Sequence, residues 1–131
     1  MFKTLIVEDN RLIRETLRGL FTRYFSSMIV EESSDGKEAM EKVGSFQPDL
    51  ILMDLRLPDE SGLELTQKIK MTNSNVKVII LTGHYYPEYK EMAARYGADG
   101  FLVKGGASKE ILAVVESFFS NAEECTVSKK Q

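Results

Sequence analysis

The chain has 131 residues, with 17 Lys+Arg against 20 Asp+Glu and a formal net charge of −3. That length is one domain, and 43% hydrophobic with 28% charged residues is an ordinary globular ratio that needs no disulfide or structural metal. No basic run exceeds the terminal Lys129-Lys130 pair, which leaves no electrostatic footprint for nucleic acid or anionic lipid.

The first apolar run, Leu5-Ile6-Val7, ends at Glu8-Asp9, too short for a signal-peptide core. No run approaches a membrane span, so the chain reads as cytoplasmic. The single cysteine, Cys125, has no intrachain partner and reads as a free thiol beside two glutamates.

Short apolar segments alternate with helical periodicity along the chain. The predicted strands are Thr4 to Val7, Met28 to Glu32, Leu50 to Met53, Lys77 to Leu81 and Gly100 to Val103. Leu50-Ile51-Leu52-Met53 and Val78-Ile79-Ile80-Leu81 lack polar alternation, as expected of inner parallel strands covered on both faces.

Helix one is predicted from Asp9-Asn10, with Ile13, Leu17, Leu20, Phe21 and Tyr24 as its apolar stripe and Arg14, Glu15, Arg18 and Arg23 left for solvent. Asp35 with Glu38, and Ser61 with Glu64, fit capping boxes that open helices two and three. Helix four runs from Pro87 with Tyr89, Met92, Ala93 and Tyr96 on one face, and Gly97 stops it. Helix five follows Ser108 and carries Ile111, Leu112, Val115, Phe118 and Phe119. Residues 1–122 therefore form the domain, and 123–131 read as a polar tail or the start of a linker.

Five βα repeats imply a doubly wound, flavodoxin-like three-layer sandwich with a five-stranded parallel sheet. Ligands of such sheets sit beyond the carboxyl ends of the strands, where strand order reverses. Those ends carry Glu8-Asp9, Asp54, Thr82 and Lys104. Clustered carboxylates repel unless a cation joins them, and oxygen-only ligands suit a hard ion, Mg²⁺ or Mn²⁺. Lys104 and Thr82 suit a phosphoryl group, one by charge and one by hydrogen bonding.

These residues resemble the receiver domains of response regulators over nearly the whole chain. The resemblance rests on Glu8-Asp9, on Asp54 with Pro58 and Gly62 after it, on Leu81-Thr82-Gly83, and on Gly97-Ala-Asp-Gly-Phe-Leu-Val-Lys104. It implies that Asp54 is the phosphoacceptor, attacking the phosphohistidine of a sensor histidine kinase or phosphotransfer protein, or a small phosphodonor. It implies Mg²⁺ bound by Asp9, by Glu8 mainly through water, by Asp54 and by the main-chain carbonyl of Arg56. Thr82 and Lys104 would contact the phosphoryl oxygens, with the small Gly83 leaving access.

By the same resemblance Phe101 is the aromatic switch. Thr82 moves toward the phosphoryl group, Phe101 fills the space it leaves, and the surface of helix four, strand five and helix five changes for a downstream effector or a fused output domain. Tyr85, Tyr86 and Tyr89 are expected on that output surface, and dimerisation through it on phosphorylation is the family's expectation. Arg56 and His84 stand where members of the family vary acyl-phosphate lifetime. Many members follow the lysine with a cis proline, whereas this chain has Gly105-Gly106. Self-phosphorylation and autodephosphorylation are expected, not the turnover of a metabolic enzyme.

Three other readings compete. A dehalogenase-type phosphatase needs a second aspartate two residues after the nucleophile, where this chain has Arg56. A flavin carrier needs a hydroxyl- and glycine-rich loop where Glu8-Asp9-Asn10-Arg11 stands. The Gly97 to Lys104 segment also resembles receivers that precede a helix-turn-helix domain, which makes the regulatory half of a longer DNA-binding regulator the nearest alternative to a stand-alone receiver. An open reading frame that stops after Gln131 would separate these two.

Overall fold

The computed structural model describes residues 1–130, with side chains described over residues 1–120. In chain order the elements are β1 (Lys3–Val7), α1 (Arg11–Tyr24), β2 (Ile29–Ser33), α2 (Gly36–Phe46), β3 (Leu50–Asp54), α3 (Gly62–Thr72), β4 (Lys77–Thr82), α4 (Pro87–Arg95), β5 (Gly100–Val103) and α5 (Ser108–Lys130). The five strands form one parallel sheet in the order β2-β1-β3-β4-β5. This is the doubly wound arrangement expected from strand-helix alternation, and its order reverses between β1 and β3.

The continuous apolar runs divide residue by residue between the two faces of the sheet, because successive side chains of a strand point opposite ways. Ile6, Leu50, Leu52, Ile79 and Leu81 face α1 and α5, meeting Leu17, Phe21, Ile111 and Val115. Leu5, Val7, Ile51, Met53, Val78 and Ile80 face α2, α3 and α4, meeting Ala39, Leu65, Ile69 and Ala93. Each fully buried aliphatic side chain contributes about 1.5–3 kcal/mol, so the two half-cores hold the sheet between its helices.

The caps follow the sequence with two differences. Asp35 accepts from the Glu38 amide, but Glu38 reaches back to the amide of Ser34, one residue earlier than a capping box requires. Ser61 accepts from Leu63, and no hydrogen bond from Glu64 closes a box there among the described residues. A second device supplements the first cap: Asp59, from the loop after β3, accepts from the amides of Gly36 and Lys37. These amide donors hold the Asp59 carboxyl below its usual range.

Three side-chain expectations are corrected. Tyr24 is exposed, because Phe25, four residues after Phe21, takes the buried position at the end of α1. Arg14, read as solvent-facing, is only 17% exposed and pairs with Glu32 of β2. Met92 is exposed on α4, where Ala93 alone is buried. The backbone of α5 runs to Lys130, beyond the end near Ala122 that the fading periodicity predicts. The side chains of the expected tail, Cys125 included, lie outside the described residues.

Candidate functional site

Strand register brings the candidate residues together. Val7 lies opposite Met53, so Glu8 and Asp54 leave adjacent strands at the same level. Thr82 lies opposite Val103, so Lys104 emerges beside it. Main-chain bonds extend the sheet past its formal ends: the Glu8 amide donates to Ser33, Leu55 to Leu81 and Lys104 to Thr82.

The result is a cavity of about 310 Å³ lined by Glu8, Asp9, Asp54, Thr82, Gly83 and Lys104 among others. Glu8, Asp9 and Asp54 each offer a carboxylate oxygen, all within 4.8 Å of one another. Glu8 is fully buried and Asp54 is buried, while Asp9 is exposed. Lys104 Nζ lies 2.6 Å from Glu8 Oε1 and 3.0 Å from Asp54 Oδ1. The contact with Glu8 is an ion pair outside hydrogen-bond geometry, which leaves the buried Oε1 without a hydrogen bond.

The electrostatics follow from that crowding. Burial, with the Glu8 charge added, pushes the Asp54 carboxyl up to about 7 against the opposing pull of Lys104. For Asp9, burial is outweighed by hydrogen bonding to Asp54 and Glu8 and by the Lys104 charge, and its carboxyl falls below the usual range. Burial likewise disfavours the Lys104 ammonium, but Glu8 and Asp54 more than offset this and raise it. One lysine cannot neutralise three carboxylates. An all-oxygen donor set with a buried, hydrogen-bond-free Glu8 oxygen fits a hard divalent cation.

Other predicted residues take definite places. The Thr82 hydroxyl donates to the His84 carbonyl at 3.1 Å and accepts from the His84 amide at 3.3 Å. His84 is exposed, its ring 6.3 Å from that of Tyr86. Gly83 is exposed, and a Cβ there would meet nothing within 4 Å, which keeps that rim of the cavity low. Phe101 is half-buried and stands edge-on to Tyr85 at 6.2 Å. Tyr85 and Tyr86 are exposed, and Tyr89 is half-buried against Tyr86. The Arg56 amide donates to Asp54 Oδ1 at 3.2 Å.

The glycines after the two key residues have distinct roles. A Cβ on Gly62 would overlap the carbonyl oxygen of Asp54, so only glycine lets α3 start against the end of β3. Gly105, at φ +79°, is the left-handed residue of a turn closed by the Gly106 amide on Val103. The loop after Lys104 is thereby shaped by glycine.

The sequence reading missed the role of Arg14 and the bond from Asn10 to Glu8. Arg14 donates to the Glu8 carbonyl and to Glu32, both at 2.8 Å, bracing the acidic loop from α1. Asn10 caps α1 through Ile13, and its amide also holds Glu8 Oε2 at 3.0 Å. A polar residue within the first turn of a helix was the available signal for Arg14, but amphipathic spacing assigns it to solvent.

Comparison with known proteins agrees with this geometry. The model of the response regulator receiver domain matches residues 4–116. Response regulator UvrY of Escherichia coli is 32% identical over 120 residues, 92% of this chain and 55% of that protein. Response regulator protein VraR of Staphylococcus saprophyticus is 30% identical over 119 residues, 91% of this chain and 57% of that protein. The chain thus spans a little over half the length of these relatives. Among solved structures, a CheY-like receiver domain protein from Methanospirillum hungatei superposes with a TM-score of 0.82 at 26% identity, covering 95% of this chain and 98% of its own. With its strand order, its buried aspartate at the end of β3 and this match along most of its length, the chain belongs to the response regulator receiver domain family of two-component signalling.

Proposed function

We propose that the chain is a phosphorylation-controlled switch whose phosphoacceptor is Asp54. The observation that carries this reading is a buried carboxylate at a strand end with Lys104 Nζ 3.0 Å from one oxygen and two further carboxylates beside it. The donor is the phosphohistidine of a sensor histidine kinase or phosphotransfer protein, or a small phosphodonor. An Asp54 oxygen forms a bond to phosphorus as the bond from phosphorus to the donor nitrogen breaks, and that nitrogen keeps the electron pair.

Asp9, Asp54 and the Arg56 carbonyl would hold Mg²⁺ or Mn²⁺ directly, with Glu8 acting through water. The ion, when bound, offsets charge on the transferred oxygens. Lys104 is already within ion-pair reach of Asp54 and neutralises a phosphoryl oxygen. Thr82 must leave the His84 carbonyl to donate to the phosphoryl group. That movement frees space for Phe101 and alters the α4, β5 and α5 surface, where Tyr85, Tyr86 and Tyr89 meet an effector or a second copy. The protein works in the cytoplasm as a self-dephosphorylating switch and not as a metabolic enzyme. Among the described residues no helix is long and apolar enough to cross a membrane.

The regulatory half of a longer DNA-binding regulator is the second reading. It is supported by the matched segment being 55% and 57% of two curated relatives, which leaves room in them for a further domain.

Intact mass after incubation with Mg²⁺ and phosphoramidate tests the first reading. One added phosphoryl group is expected, absent in Asp54→Asn and with a chelator. A wild type that stays unmodified, here and with a panel of histidine kinases, would overturn it.

A further inference from the structure

The loop from β3 to α3 is a small hairpin. The Gly62 amide donates to the Leu55 carbonyl at 2.9 Å and the Leu57 amide to the Glu60 carbonyl at 3.2 Å, with Arg56 opposite Ser61. These bonds bracket Arg56 without using its own main chain, so its amide and carbonyl face out of the hairpin. The amide donates to Asp54 Oδ1 at 3.2 Å, while the side chain goes to the Tyr89 hydroxyl at 3.1 Å. The part of Arg56 that meets Asp54 is thus its main chain.

Leu55 and Leu57 fix the base of this hairpin in the core, whereas Pro58 and Asp59 at its tip are exposed. The tip is tied instead to α2. Asp59 Oδ1 accepts from the Gly36 amide at 2.8 Å and Oδ2 from the Lys37 amide at 3.0 Å, across 23 and 22 residues of chain. Gly36 is buried against the next residue of the tip, where a Cβ would lie 2.8 Å from Glu60 Cγ. Glu60 also pairs with Lys68 at 3.3 Å, but that lysine is 61% exposed and belongs to α3, the continuation of the same loop. Helix α2 has a cap of its own, since Asp35 accepts from the Glu38 amide. One side-chain cap is the ordinary complement of a helix start, and the second carboxylate joins two elements that the chain does not connect directly.

We infer that Asp59 is a positioning residue for the metal site, tying the tip of the β3–α3 hairpin to the first amides of α2 and so holding the Arg56 carbonyl in place for a divalent cation. The inference rests on the proposed reading in which Asp9, Asp54 and that carbonyl bind the ion. A main-chain ligand has no rotamer of its own, so its position is that of the loop that carries it. A loop free at its tip loses conformational entropy when an ion orders it, and one anchored at its tip has already lost that freedom on folding. The coupling is reciprocal, so Mg²⁺ bound beside Arg56 tightens the bonds from Asp59 to α2 in turn.

The test is Mg²⁺ alone, titrated into the unphosphorylated chain and followed by the NMR amide shifts of Asp54 and Arg56. Asp59→Ala removes both bonds, and Asp59→Asn keeps one acceptor oxygen. Asp35→Ala removes an equal charge and the other cap of the same helix without touching the hairpin. The expected result is Mg²⁺ affinity weaker by about three- to tenfold in Asp59→Ala, at the lower edge of what partners that orient a metal ligand contribute, with a smaller loss in Asp59→Asn. Asp35→Ala should lower the melting temperature and leave the affinity within about twofold of wild type. If Asp59 served only to stabilise α2, both alanine variants would melt earlier and both would bind Mg²⁺ as wild type does. Unchanged affinity in Asp59→Ala, or an equal loss in Asp35→Ala, therefore overturns the inference while the metal reading stands. Should Asp59→Ala not fold, the wild type decides: Mg²⁺ must slow amide hydrogen exchange at Gly36 and Lys37, and exchange that Mg²⁺ leaves unchanged overturns the inference. A wild type that binds no Mg²⁺ overturns the metal reading itself, and this inference with it.

Discussion

The hydroxyl of Thr82 is bound to the backbone of His84, donating to its carbonyl at 3.1 Å and accepting from its amide at 3.3 Å. Neither bond leads toward Asp54, although both residues line one cavity. In the proposed switch Thr82 must first release His84. Removing the hydroxyl should uncouple the two halves of the switch. Thr82→Ala is expected to accept a phosphoryl group while losing most of the accompanying change in backbone amide shifts of α4 and β5, and Thr82→Ser should retain that change. Comparison of NMR spectra before and after phosphorylation decides the point, and a full response in Thr82→Ala would remove Thr82 from the mechanism.

The raised Asp54 carboxyl gives a pH dependence with a definite sign. Its folded value of about 7 lies above the ordinary carboxylate value of 3.8, so between these values the folded state binds a proton that the unfolded state does not. Without metal, this contribution to stability is present at low pH and is lost as pH rises through that window. A divalent cation bound at the site would take the place of the proton, so the melting-temperature increase caused by Mg²⁺ should grow from pH 5 toward about pH 8. Asp54→Asn should flatten that dependence. Calorimetry with and without Mg²⁺ measures it.

Gly62 and Gly83 flank the same site and should differ in tolerance. Alanine at Gly62 drives a methyl group into the Asp54 carbonyl oxygen, whereas alanine at Gly83 enters open space. Gly62→Ala should lose about 1–3 kcal/mol of stability in urea, the range of a core overpacking error. Gly83→Ala should stay within about 0.5 kcal/mol of wild type, as surface substitutions do.

Arg14 and Arg18 both bind Glu32, but only Arg14 also reaches the Glu8 carbonyl. Arg14→Ala should cost about 1.5–3 kcal/mol by urea denaturation, the worth of hydrogen bonds to a charged group, and should weaken Mg²⁺ binding in titration calorimetry. Arg18→Ala, at a side chain 46% exposed, should cost less and leave the metal unaffected. Burial of Glu32 is outweighed by its bonds to Arg18 and Arg14, which hold its carboxyl below 4.5. Stability from this group is complete above that value and is lost as pH falls through the lower folded one, so Arg14→Ala should blunt the acid limb of the stability curve.

The residues of the site were legible in the sequence because each follows directly from a strand end. Leu50 to Met53 and Val78 to Leu81 read as buried parallel strands, and in such a sheet the next residues, Asp54 and Thr82, must emerge at one edge. Cap residues gave helix starts within a residue, because Asp35 and Ser61 act on amides two or three positions away. Arg14 was misread for the opposite reason: helical spacing assigns a charged residue to solvent, and its partners Glu8 and Glu32 lie on other strands.

What the sequence determined by itself was thus local or periodic: the alternation of strands and helices, the two-faced apolar runs, the caps, and the identity of the residues at the strand ends. Only the tertiary structure decided that Lys104 stands between Glu8 and Asp54, that the Thr82 hydroxyl turns to His84, and that Arg56 is held by Tyr89. Hydrophobic period and capping act over one turn or one strand, whereas these contacts depend on side-chain rotamers across neighbouring elements. Those rotamers are set when parallel register and helix packing bring residues distant in the chain within hydrogen-bonding reach.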